Sequence, residues 1–370
     1  MAVSKAAQGG GVRILDRYLL REFTSYLTLG LLGFVAILLV VEMFQRIDVF
    51  LDQHTSPLLV ARYMALQAPE KIVQILPVAV LLATFLALGQ LNKFGELAAM
   101  RSAGLSLLRI LAPIFGVAIL LTIGVFAFNE FVVPAANQAR DRTLRQDIEK
   151  VHREEQIERA DVTYLGGSGR IFLMRLYLIR EKRMHEVSLQ EFRANQLYRR
   201  IDAAEGSWDG AHWVFTSGIV RTFDEGAETA KAFDRMRLTG IRERPEDFAR
   251  EERSPAEMSW AELRRYVVRL RASGARVAGH LVDLHLKLAL PLVNLIVVMI
   301  GGAVATRLRS QSAALGFGLS ITIAIAYYAF VRLGQAFGHN GGLPPYVAAW
   351  SGNVVFGLVG ASMLWGAQRR

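Results

Sequence analysis

The 370-residue chain is 52% hydrophobic with a positive mean hydropathy of +0.29, more apolar surface than a water-soluble protein of this length can bury. Its formal charge of +10 divides into +7 on the apolar blocks with their loops and +3 on the polar centre, a pattern of membrane topology and not of nucleic-acid binding. Cysteine is absent, which excludes disulfides, thiolate metal sites and a cysteine nucleophile.

Residues 1–11 are small, polar and glycine-rich and read as a disordered lead-in. Residues 14–23 approach the first of six uncharged runs, 23–41, amphipathically. That run has full span length and no small-residue cleavage site, so it is expected to stay as a signal anchor. Residues 42–71 are too polar to span and read as a short helix along the outer surface. The next runs, 72–92 and 110–129, contain Pro77 and Pro113, where kinks are expected. Between them, residues 95–106 form a short amphipathic helix closed by Gly104, either a solvated loop helix or a lever for a cytoplasmic motor.

Between residues 134 and 287 the chain carries 28 basic and 25 acidic residues, leaving 15 and 8 for everything else, so a soluble insert separates two membrane blocks. Its strand-like stretches are 170–179, 186–192, 197–203, 212–220 and 229–238. Turn signals lie at Gly166-Gly167-Ser168-Gly169, Gly206, Asp209-Gly210 and Asp224-Glu225-Gly226. Even spacing without intervening helices predicts an antiparallel sandwich or open roll. Ser259 and Glu262 form a capping box before Leu263, Tyr266, Val267 and Leu270, and Gly274 ends that helix. The runs 288–306, 310–331 and 333–368 follow, the last with its helix starting near Pro345.

Each run supplies the roughly 20 residues that a helix rising about 1.5 Å per residue needs to cross the hydrocarbon. Six crossings put both termini on one side. The termini and the loops 92–109 and 306–310, with Lys93, Arg101, Arg109, Arg307 and Arg309, hold the basic excess, so that side is cytoplasmic and the insert periplasmic. Small-residue pairs, Ala83 with Ala87 and Gly357 with Ala361, would let helices approach closely.

The segment from Gly95 to Ser106 contains Glu96, Leu97, Met100 and Gly104 in the pattern Glu-Leu-x-x-Met-x-x-x-Gly, after a second helix bearing Leu76-Pro77-Val78-Ala79. Together these resemble the lipopolysaccharide-export permease family, LptF and LptG. The likeness extends to Leu15-Asp16-Arg17-Tyr18-Leu19-Leu20-Arg21-Glu22, to Glu130-Phe131-Val132-Val133-Pro134 and to Leu284-His285-Leu286-Lys287-Leu288-Ala289-Leu290-Pro291. Phe50-Leu51-Asp52-Gln53 and the Glu-Phe-Val-Val-Pro stretch look more like LptG.

The resemblance implies six transmembrane α-helices, three and three, around a periplasmic antiparallel β-jellyroll. The segments would be a cytoplasmic start (1–22), spans one to three (23–133), the β domain (134–257), a juxtamembrane helix and connector (258–287) and spans four to six (288–370). It implies a permease subunit that extracts lipopolysaccharide from the inner membrane. The implied partners are a paralogous permease completing an LptF/LptG heterodimer, a dimeric ATPase (LptB), the single-span LptC, a periplasmic jellyroll bridge and membrane lipids.

No Gly-x4-Gly-Lys-Ser/Thr loop occurs, so ATP and Mg would be bound by the separate ATPase and this chain would carry no cofactor. The resemblance makes Glu96, Leu97, Met100, Arg101 and Gly104 the coupling segment. For the phosphorylated head of the lipid, the basic candidates are Arg46, Arg140, Arg142, Arg145 and Arg332, because a guanidinium fork holds phosphate oxygens with paired hydrogen bonds. Each of these also reads as an interfacial anchor. No catalytic or metal constellation is expected. Two other classes remain: a membrane-anchored scaffold binding a periplasmic protein, and a permease of the lipoprotein-release type, which six spans with a central insert disfavour.

Overall fold

The computed structural model describes residues 3–149, 158–166, 169–193, 196–224, 227–241, 243–248, 254–272, 277–306 and 313–369. They form two compact units: Met1–Thr143 with Ala278–Arg370, and Leu144–Val277.

The first unit begins with α1 (Val3–Gln45), so the expected lead-in is continuous with the first span. After Arg46 come α2 (Ile47–Asp52) and α3 (Pro57–Lys93), with Pro57 in the first turn, where its missing amide costs nothing. This corrects the sequence expectation, since residues 57–71 run unbroken into the second span. Pro69 and Pro77 stay inside α3, and Pro77 is buried among neighbouring helices. Next are α4 (Glu96–Ser102), α5 (Leu107–Phe131) and α6 (Val133–Arg142), the last followed by a π-helical turn, Thr143–Ile148. Ser106 caps α5 by accepting from the Arg109 amide at 3.3 Å.

In the second unit, β1 (Glu158–Gly166), β2 (Arg170–Leu178), β3 (Arg183–Arg193), β4 (Gln196–Trp208), β5 (Trp213–Asp224) and β6 (Ala227–Arg237) form one antiparallel sheet in chain order. Among the described residues this single sheet excludes the two-sheet sandwich of the two arrangements expected, and its chain-order connections lack the crossovers of the expected jellyroll. Strand β1 lies outside every predicted stretch. Gly206 sits inside β4 and is not a turn: its bare backbone lies against the Phe215 ring, where a Cβ would come within 2.8 Å of a ring carbon. The turn comes at Gly210, whose φ of +104° suits glycine, and the Asp209 carboxylate accepts from the amides of Ala211 and His212 at 2.9 and 2.7 Å.

Short helix α7 (Pro245–Phe248) drives Phe248, wholly buried, into a cluster of Tyr164, Phe172, Tyr177 and Trp213. Two of the three polar aromatics there bond to its segment, Trp213 donating to the Glu243 carbonyl and Tyr177 to that of Pro245. Helix α8 (Trp260–Ala272) opens with the expected box: Ser259 Oγ accepts from the Glu262 amide at 3.2 Å and Glu262 accepts from the Ser259 amide at 3.0 Å. Gly274, Arg307, Arg309 and Arg370 lie outside the described residues.

Back in the first unit are α9 (Ala278–Ala289), a 3-10 turn at Leu290–Leu292, α10 (Val293–Ala305), α11 (Ala313–His339) and α12 (Pro345–Gln368). Residues 278–287, expected as connector, belong to the fourth membrane-length helix, Ala278–Ala305. The six long helices are unequally enclosed: the apolar stretches of α3 and of α9–α10 are each 67% buried, that of α1 11% and that of α11 22%. Gly301 packs against Leu81 and Thr84 of α3, and Gly302 against Leu111 of α5. Ala83 and Ala87 are fully buried, as their spacing suggested. On α12 the close approaches are at Gly352 and Gly360, one face away from Gly357 and the exposed Ala361. Asn353 ties three helices, accepting from Tyr327 and donating to the Ala289 carbonyl, both at 2.7 Å.

Candidate functional site

Helix α4 stands between two glycines in the left-handed region, Gly95 at φ +72° and Gly104 at φ +86°, which let the chain enter and leave within a few residues of the spans α3 and α5. Its inner face is anchored. Leu97 is buried, and Met100 closes a small apolar cavity with Leu15, Leu19, Leu91, Leu105 and Ile110. At the rim of that cavity Arg109 donates to Asp16 at 2.9 Å, joining the start of α5 to α1. Arg101 donates to the Ala367 carbonyl in the last turn of α12 at 3.4 Å, a cation at the negative end of a helix.

The outer face is open. Ala98, Ala99 and Ser102 are exposed, flanked by Phe94 and Leu108, which are 61% and 47% exposed, and the Lys93 ammonium lies over the Phe94 ring. Glu96 sits half-buried in the first turn, favourably placed toward the positive helix end. The residues expected to form a coupling segment thus stand in different settings: Leu97, Met100 and Arg101 hold the helix to the bundle, while Glu96 borders the free surface. Sequence reasoning missed Phe94 and Leu108, because an exposed aromatic beside a loop carries no periodic signal.

The basic candidates fall into separate groups. Arg46 donates to Glu42 at 3.1 Å and lies over the Tyr63 ring, while Lys71 donates to the other Glu42 oxygen at 3.0 Å. Arg140 donates to Glu70 at 2.6 Å, Gln67 at 3.0 Å and Asp141 at 2.9 Å. Tyr63, Gln67, Glu70 and Lys71 share one face of α3, so the two clusters make one belt in which three carboxylates balance three cations. Arg142 is exposed and makes no ion pair among the described residues. Arg145 is exposed in the second unit.

Arg332 belongs to a different network. It donates to Gln335 at 3.1 Å, and Gln335 and His339 both reach the same Asp283 oxygen, at 2.8 and 3.0 Å. Asp283 and His339 stand 56 positions apart in sequence, and nothing local pairs them. No group of acidic or histidine side chains suited to a metal occurs among the described residues.

Residues 17–366 match the family model described as "Lipopolysaccharide export system permease LptF/LptG". Among curated proteins, the chain is 22% identical over 367 residues to the lipopolysaccharide export system permease protein LptG of Escherichia coli (strain K12), covering 95% of this chain and 98% of that one. The protein of the same name from Escherichia coli O6:H1 (strain CFT073) matches to the same extent.

Proposed function

The chain belongs to the lipopolysaccharide export system permease LptF/LptG family, and from that premise we propose that it is one half of an ATP-driven complex that lifts lipopolysaccharide out of the inner membrane. Family membership makes it a multi-pass transport permease and not an enzyme. The finer assignment is ours: the LptG-like half of an LptF/LptG pair, driven by a dimeric LptB ATPase and handing lipid, with LptC, to a periplasmic bridge. Both termini and α4 lie in the cytoplasm, and the sheet domain in the periplasm.

One observation carries this reading: the exposed surface of Ala98 and Ala99 on α4, flanked by Phe94 and Leu108 with Glu96 at the border, on a helix whose Met100 lies beside α1, α3 and α5 and whose Arg101 reaches α12. Two alanines let another surface approach the backbone, and Phe94 and Leu108 supply the apolar contact that such joints bury. Glu96 adds a directed partner for a basic side chain. Because Leu97, Met100 and Arg101 join α4 to the bundle, displacement of the motor moves the spans with it.

The moving parts are α1 and α11, the least enclosed helices, which meet through stacked Phe34 and Phe317 rings 5.7 Å apart. They serve as gates beside a cavity for acyl chains. Of the arginines, Arg142, with no ion pair among the described residues, can hold a phosphate as it stands, whereas Arg46 and Arg140 must first leave Glu42, Glu70 and Asp141.

The test is lipopolysaccharide release from vesicles holding the full complex. Glu96→Arg is expected to abolish release and co-purification of the ATPase while leaving the thermal midpoint unchanged. Undiminished release would count heavily against the assignment.

A further inference from the structure

Helix α8 lies in the second unit and takes no part in the transport reading above. Its inner face, Leu263, Val267 and Leu270, is buried. The outer stripe, Arg264, Val268 and Arg271, recurs at helical spacing, with Arg265 beside it and the half-buried Trp260 one turn before. Val268 is 62% exposed at the centre of this face, and Arg264, Arg265 and Arg271 surround it, all exposed. The Arg264 guanidinium stacks over the Trp260 ring at 5.4 Å. The one carboxylate on the helix, Glu262, is engaged with the Ser259 amide at its own N-terminus. Among the described residues no ion pair neutralises Arg264, Arg265 or Arg271. In front of the stripe lies an open concavity of about 990 Å³, lined by Met258, Trp260, Arg264, Arg265 and Val268 among others.

We infer that this face of α8 binds the phosphate-bearing headgroups of the bilayer that the chain itself spans. The first argument is composition: three exposed arginines around an exposed aliphatic residue on one outward stripe match the chemistry of the headgroup layer, where a guanidinium meets phosphate and an aliphatic side chain meets the acyl boundary. The second is the tether. Only residues 273–277 separate α8 from α9, so the last turn of α8 is held within roughly 20 Å of Ala278 whatever the placement of the two units. The helix starting at Ala278 has 28 residues, about 40 Å at 1.5 Å per residue, longer than the hydrocarbon core, so its first turn already stands among headgroups. A charged face with no counter-ion among the described residues, leashed to a membrane surface, finds its counter-ions there.

The chain has no cysteine, so Val268→Cys gives a single labelling position. The full chain carrying an environment-sensitive fluorophore there would be placed in nanodiscs of phosphatidylcholine, of phosphatidylcholine titrated with phosphatidylglycerol, and of phosphatidylcholine with lipopolysaccharide. Quenching would be read from nitroxides at the lipid headgroup and from iodide in solution.

Expected are nitroxide quenching and iodide protection that rise with phosphatidylglycerol and fall with salt. Replacing each arginine by glutamine should raise the phosphatidylglycerol fraction needed by roughly fivefold. These positions are exposed and outside the cap, so unfolding does not confound the result, and a melting curve of the triple variant verifies it. Protection of equal size in pure phosphatidylcholine, or its survival in the Arg264→Gln/Arg265→Gln/Arg271→Gln protein, would overturn the inference. Protection confined to lipopolysaccharide discs would also overturn it, assigning the face to the transported lipid. The outcome depends only on membrane insertion, and so is separable from any failure of the proposed transport role.

Discussion

The apolar stretches of α10 and α1 are almost equally hydrophobic, and each contains two glycines, yet the pairs stand in opposite surroundings. On α10, Gly301 and Gly302 are pressed against Leu81, Thr84 and Leu111, so that an added Cβ would lie 2.9 Å or less from a side-chain carbon. On α1, Gly33 has nothing within 4 Å and Gly30 touches only Leu82. The first pair makes a joint between helices. The second leaves a smooth surface for lipid or for a partner subunit. In a bilayer, apolarity is the entrance condition for every span and therefore does not distinguish the axle from the gate.

The sharpest way to break this comparison is to enlarge both pairs. Gly302→Leu should destabilise the first unit by about 1–3 kcal/mol or more through overpacking, seen as a lower melting temperature in detergent and poorer yield. Gly33→Leu should leave the melting temperature unchanged. Equal effects at the two sites would show that α1 is packed as tightly as α10.

The sheet domain offers the same contrast in polar form. Glu191 is buried and accepts from Arg199 at 2.5 Å, Tyr198 at 2.9 Å and Arg170 at 3.1 Å, whereas Glu186 meets Arg175 at the surface with both side chains more than half exposed. Burial alone would raise the Glu191 pKa, but the hydrogen bonds from Arg199, Tyr198 and Arg170 outweigh it and hold the carboxyl below its ordinary 4.5. Since the folded state releases this proton more readily than the unfolded chain, the stabilisation is complete above pH 4.5 and is lost as pH falls through the folded value. Glu191→Gln should therefore cost about 1–3 kcal/mol near neutrality and flatten the acid limb of a stability profile. Glu186→Gln should cost at most about 1 kcal/mol.

The smallest expected effect sharpens the comparison from the other side. Leu32 on α1 is 67% exposed, so Leu32→Ala should change stability by no more than about 0.5 kcal/mol. If α1 is a gate, the same variant should slow lipopolysaccharide release, separating a functional surface from a structural one.

Features that depend on neighbours in sequence were legible in advance. Pro345 opens α12, Gly104 closes α4, the Ser259/Glu262 box starts α8, and five of the six strands lie where alternation and turns put them. Strand β1 escaped because residues 158–161 carry three charges and too little alternation to register. The continuity of α3 escaped because its polar first half looked solvated. Its cover comes from Glu42 on α1 and from Arg140 on α6, which pair with Lys71 and Glu70. Helix α4 was visible as a pattern, but its division into anchored and open faces was not: Arg101 finds its acceptor 266 positions away.

The amino-acid order by itself determined the number of membrane-length helices, the separate lobe between the third and fourth, and the local caps at Gly104, Ser259 and Pro345, because these follow from hydrophobic length and short-range hydrogen bonding. Only the tertiary structure decided which helices occupy the centre, which arginines are neutralised and which face of α4 or α8 stays open. Those outcomes rest on pairings between groups far apart in the chain, settled by packing and charge balance in three dimensions.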